Sequence, residues 1–152
     1  MLPTKSIFNP TDNAEIIERL NNLAANTPAV WGKMSAAQMM AHCQASINMA
    51  FGNTPIKRHW MGVVFRSIGK YRLLKRGDFD RYMPTVKQFE ITEPRDFNDE
   101  KEKLVDLIQT ALAKGPTALV KYPHPYFSTF KGDEWARLNW KHLDHHLRQF
   151  GV

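Results

Sequence analysis

The apolar positions of this chain fall into four stripes of helical period, each bounded by capping or turn signals. The first is expected over residues 12–25. Asp12 with Glu15 makes a capping-box-like start, and Ile16, Leu20, Leu23 and Ala24 repeat at i, i+4, i+7 and i+8. Pro28 follows, where a helix cannot continue. The second opens at Ser35, a good N-cap that Gln38 can reach back to three residues later. Its broad apolar face comprises Ala36, Met39, Met40, Cys43, Ile47, Ala50 and Phe51, and Gly52-Asn53-Thr54-Pro55 stops it.

The third stripe opens near Asn98, with Asp99, Glu100 and Glu102 where acidic groups suit the helix dipole. Leu104, Leu107, Ile108, Ala111 and Leu112 carry its core face, and Gly115-Pro116 ends it. The fourth runs from Gly132 or Asp133 to Phe150, with Gly151 beyond. The stretch from Pro55 to Arg95 is too long for a simple connection and should hold structure of its own. Trp60, Val64, Ile68 and Tyr71 recur there at helical spacing, and Thr85–Ile91 reads as extended. The expected architecture is all-α, a four-helix bundle with an elaborated connection between helices 2 and 3.

Composition narrows the class. The 152 residues suit one domain spanning 1–152, and 43% hydrophobic with 24% charged residues argue against disorder. One Cys forms no internal disulfide and excludes Cys-rich zinc modules. No apolar run approaches the ~20 residues that span a bilayer, and no stretch of signal-peptide length follows Met1. A cytoplasmic, reducing location is therefore expected. The net charge of +6 is concentrated in Lys57, Arg58, Arg66, Lys70, Arg72, Lys75, Arg76 and Arg81. A solvated face explains it best. No nucleic acid is expected, because no reading motif accompanies the charge. Peripheral membrane contact through the amphipathic basic segment is the weaker alternative.

Chemistry concentrates in the histidines. His142 and His146 are i and i+4 and share a helix face one turn apart, as two imidazoles on one metal require. At roughly 100° per residue from Asp133, they fall near 180° and 220°, flanking the arc of Trp140, Leu143, Leu147 and Phe150. His145 falls near 120° beside Glu134, on the charged side. In the second helix His42 borders the apolar arc, about 100° from Cys43, which reads as a small core hydrophobe rather than a ligand. Three neutral imidazoles from two facing helices leave positions open for water or substrate.

These residues carry a resemblance. His142-x-x-x-His146-x-x-Gln149 at the end of a last helix, with His42 in the second, resembles the DinB-like (YfiT-like) metalloprotein superfamily. The strings Trp31-Gly32-Lys33-Met34-Ser35-Ala36-Ala37-Gln38-Met39-Met40-Ala41-His42, His124-Pro125-Tyr126-Phe127 and Lys141–Phe150 tighten it, and look like a branch of that superfamily known as a domain of unknown function. The resemblance covers nearly the whole chain apart from residues 55–95. It implies an up-down-down-up bundle, commonly a homodimer, with a divalent metal on His42, His142 and His146. Characterised relatives include thiol-dependent S-transferases and a thiol-dependent maleylpyruvate isomerase.

Such a site lowers the pKa of a bound thiol or water. A low-molecular-weight thiol as cosubstrate would be readied to attack a small-molecule electrophile. With no obvious carboxylate ligand, zinc, nickel and iron all suit the donors. Gln149, Asn139 and Gln38 are candidates for supporting hydrogen bonds, Gln38 having a competing role in the helix cap. The expected function is a metal-dependent thiol S-transferase. A binding or interaction module with a structural or vestigial metal, and a metal-dependent hydrolase, are the alternatives.

Overall fold

Asn9 and Pro10 start the first helix, α1 (Pro10–Asn21). The Asn9 side chain accepts from the backbone N–H of Thr11 and Asp12, and proline supplies a preset first turn. This cap precedes the expected one at Asp12, whose carboxylate instead accepts from the Ser6 N–H at 2.9 Å. The helix ends at Asn21, short of residue 25, so Leu23 is buried in the following turn while Ala24 is exposed. The computed structural model describes residues 5–54, 70, 74, 78–83, 85, 87–119 and 130–152.

Helix α2 (Ala36–Ala50) carries the capping box read from its sequence. The Ser35 hydroxyl accepts from the Gln38 N–H at 3.2 Å, and the Gln38 side chain accepts from the Ser35 N–H at 2.9 Å. Helix α3 (Phe97–Lys114) is capped by Asp96, which accepts from the Asp99 N–H, and it ends where Gly115 takes φ +67. Helix α4 (Gly132–Gln149) begins with Glu134 accepting from the Lys131 N–H at 2.7 Å. All four are helices because apolar residues of period 3.6 meet a cap, and their stripes pack together. Ile16, Leu20, Met39, Met40, Ile47, Leu104, Ile108, Leu143 and Leu147 are all at or below 1% exposure.

Pairwise contacts fix the helix directions. Ile7 beside Ala136 and Arg19 beside Asp144 make α1 and α4 parallel. Asn13 against Ile108 and Lys101 against Asn21 make α1 and α3 antiparallel. Ser46 with Asn139 and His42 with His142 run α2 against α4, while Gln44 with Glu100 and Lys114 over Phe51 run α2 along α3. The result is an all-α, up-down-down-up four-helix bundle, with no strand among the described residues. No described helix is long and apolar enough to cross a membrane.

The connection after α2 departs from expectation where it is described. Lys87–Phe89 forms a 3-10 turn rather than an extended run, because Phe89 turns inward and is 5% exposed against Met49, Leu119 and Trp135. The amphipathic segment read from Trp60, Val64, Ile68 and Tyr71 lies outside the described residues, as do His59 and His124. Of the basic cluster, Lys70 pairs with Glu134 at 2.6 Å, and the Arg81 guanidinium lies 4.4 Å from the Trp31 ring centroid.

Asn13, 2% exposed, ties the N-terminal segment to the core by donating from Nδ2 to the carbonyls of Ile7 and Ile108, at 2.9 and 3.1 Å. Replacing it with Leu strips the Ile7 carbonyl of this donor and leaves the Ile108 carbonyl only its bond within the helix. Asn13→Leu is therefore expected to lose about 1–3 kcal/mol in urea unfolding. A loss under about 0.5 kcal/mol would mean the Ile7 carbonyl finds another donor.

Candidate metal centre

Antiparallel packing of α2 on α4 places His42 opposite His142, and the helical repeat brings His146 to the same spot. The Nε2 atom of His142 lies 3.0 Å from Nε2 of His42 and 3.1 Å from Nε2 of His146. One nitrogen from each of the three residues falls within 4.8 Å of the others. Ring centroids are 4.6–4.9 Å apart with steep interplanar angles, so the rings point edge-first at a common centre instead of stacking. His42 and His146 are buried and His142 is half-buried, which leaves one ring in reach of solvent.

Hydrogen bonds on the far side of two rings settle which nitrogens carry protons. His42 Nδ1 is 2.8 Å from the Phe89 carbonyl oxygen, which can only accept, so Nδ1 is the N–H and Nε2 is a bare lone pair. His146 Nδ1 is 2.8 Å from Oε1 of Gln149. That amide is oriented in turn by its own Nε2 donating to the Trp31 carbonyl at 2.7 Å, so His146 Nδ1 is also the donor. The inward-facing nitrogens therefore hold at most one proton, at His142, to share between two acceptors. A divalent cation satisfies all three lone pairs. At metal–nitrogen bonds of about 2.0–2.1 Å, ligand nitrogens at right to tetrahedral angles sit about 2.9–3.4 Å apart. The 3.0 and 3.1 Å spacings match that range, and the donor set suits zinc, nickel or iron.

Electrostatics agree. Burial, reinforced by the charges the neighbouring imidazoles would carry, pushes His142 well below its ordinary value. His146 is pushed down to about 3, mainly by burial and then by His42. His42 is lowered by burial, opposed by its bond to Phe89. Neutral imidazole is the ligand form, so the fold holds the cluster ready at neutral pH.

The remaining sequence candidates divide by position. Gln149 lies against His146 as described. Asn139 is 1% exposed but bonds Ser46 Oγ and the Trp135 carbonyl, both at 3.0 Å. Gln38 completes the α2 cap and donates to the carbonyls of Thr92 and Glu93. Cys43 faces Met39 at full burial, and desolvation pushes its thiol pKa up.

His145 corrects the wheel. It is 8% exposed rather than on a charged surface, edge-on to Trp31 at 5.7 Å and tilted on Phe79 at 5.6 Å. Asp78 and Phe79 lie against that side of α4. Asp78 pairs with Arg148 at 2.9 Å, Phe79 lies 6.3 Å from the His142 ring, and Lys141 Nζ sits 4.5 Å from the Phe79 centroid. Three partners of the centre escaped the sequence reading: Phe79 and the carbonyls of Phe89 and Trp31. A main-chain carbonyl leaves no residue-type signal. For Phe79, an aromatic residue within a basic stretch was the only hint.

A family model described as a protein of unknown function (DUF1569) matches residues 5–151, and the chain belongs to that family. Neither the curated proteins nor the solved structures give a match.

Neutral burial has a thermodynamic consequence. The unfolded chain takes up protons at these histidines near pH 6.5 and the folded chain does not, so the metal-free protein loses stability as pH falls from about 6.5 toward 3. The slope is about 1.4 kcal/mol per pH unit for each histidine kept neutral. Urea unfolding at pH 7.5 and 5.5 measures it, with a shallower slope expected for His146→Gln. Equal stability at both pH values would show that the rings protonate in place.

Proposed function

We propose that this chain is a divalent-metal-binding protein of the DinB-like (YfiT-like) type, and that its centre supports thiol transfer to a small electrophile. The observation that carries the reading is the convergence of three Nε2 atoms, two of them stripped of protons by bonds at Nδ1. Core packing gives no reason to aim unprotonated acceptors at one another, whereas a cation does. The up-down-down-up helix order supports the superfamily assignment, because it is the order the resemblance implies.

A bound divalent ion with three neutral ligands keeps its positive charge, and so favours deprotonation of a thiol or water at an open position. The rest falls to the chain's own residues. His42, His142 and His146 would hold the ion, while the Phe89 carbonyl and Gln149 aim two of the rings. Phe79 lines one side with apolar surface, and the Trp31 ring packs edge-on to the adjacent His145. Cys43 is fully buried, so the sulfur transferred would come from a low-molecular-weight thiol. With water in its place the same centre would serve a hydrolase. The non-catalytic reading draws on one observation: the Phe79 ring lies against His142 with Lys141 on it, which narrows the approach.

Untagged protein is expected to take up one zinc, nickel or iron(II) ion per chain, with His142→Ala and His146→Ala each weakening affinity at least about 100-fold. Loaded protein should consume a small thiol in the presence of an electrophile, and His142→Ala should not. No ion under any loading condition would remove the metal reading. Tight binding without thiol consumption or hydrolysis would leave the non-catalytic centre.

A further inference from the structure

Gln149 is gripped from two directions by one short turn. Its backbone carbonyl accepts from the Val30 N–H at 2.7 Å, and its side-chain Nε2 donates to the Trp31 carbonyl at 2.7 Å. The next residue, Gly32, stands at φ +85, a left-handed conformation that glycine adopts without cost. A Cβ built on Gly32 would lie 2.4 Å from Nε2 of Gln149. The amide therefore occupies the volume that any other residue at position 32 would fill.

We propose that the Trp31–Gly32 turn is a positioning element of the metal centre: acting through Gln149, it holds His146 as the Nδ1–H form with Nε2 facing the ion. The inference rests on the metal reading above and adds residues that touch no ligand ring's binding nitrogen. Two bonds in series transmit the constraint, from the Trp31 carbonyl to the Gln149 amide and from that amide to His146 Nδ1. Without the first bond the amide can rotate and present its NH2 to the imidazole. Nδ1 would then be the acceptor and the proton would move to Nε2, where it blocks metal binding. The colliding atom is the tip of a flexible side chain, so a residue at position 32 would displace Gln149 rather than disrupt the helix. The effect should fall on the site and not on the fold.

The test compares wild type with Gly32→Ala, Gly32→Asn and Gln149→Met. Asparagine tolerates the left-handed backbone better than alanine, so it separates the collision from backbone strain. Two readouts apply: zinc affinity by chelator competition, and the tautomer of His146 in the metal-free protein from imidazole 15N shifts. Each variant is expected to weaken zinc 10–100-fold and to turn a single Nδ1–H form into a mixture, with helicity unchanged. The double variant Gly32→Asn with Gln149→Met should bind no more weakly than the worse single, because both cut one relay. Wild-type affinity and an unchanged tautomer in Gly32→Asn would overturn the proposal. If wild type takes up no zinc, nickel or iron(II), the metal reading fails, and the tautomer comparison in metal-free protein still decides the relay.

Discussion

Two ring N–H groups, at His42 Nδ1 and His146 Nδ1, each donate to an oxygen that has no proton to give back. That one-sided chemistry forces both Nε2 atoms to face inward as lone pairs, and it turns three packed histidines into a coordination site. The surrounding structure serves those two bonds. The turn at Lys87–Phe89 delivers one carbonyl, and the end of α4 folded against Trp31 delivers the Gln149 amide in its orientation. The antiparallel seam of α2 and α4, tied a turn further on by Ser46 and Asn139, sets the distance across which the rings meet.

Burial would ordinarily oppose such an arrangement, since acceptors without donors in a dry site raise the free energy. Here the cost is bounded because the rings stay neutral and His142 keeps partial contact with solvent. Centre and core share α2 and α4: Met39, Cys43, Leu143 and Leu147, close in sequence to the three histidines, pack into one cluster with Ile16, Leu20, Leu104 and Ile108.

What was legible in the sequence was local. The α2 cap at Ser35 and Gln38, the apolar stripes and the shared face of His142 and His146 depend on neighbours within one or two turns. Their periods and spacings state them directly. His42 was legible because its margin position repeats that of the pair. The failures have long-range or competitive causes. His145 is covered by Phe79, a residue more than 60 positions away that no wheel of α4 contains. Asp12 lost the cap of α1 to Asn9 because Asn9 sits directly before a proline. Thr85–Ile91 looked extended until Phe89 found a hydrophobic niche worth more than its β-propensity.

Main-chain oxygens supply the outermost hold on both anchored rings, at Phe89 and Trp31. A carbonyl is the same group whatever side chain it carries, so the identity of residue 89 or 31 answers only to packing, while the path of the backbone answers to the imidazoles. Sequence divergence at those two positions is thus compatible with an unaltered centre. A one-residue insertion or deletion in either turn is not, since it would slide a different oxygen, or none, into place. At positions 31 and 89 the lengths of the connections carry chemical information that the letters there do not.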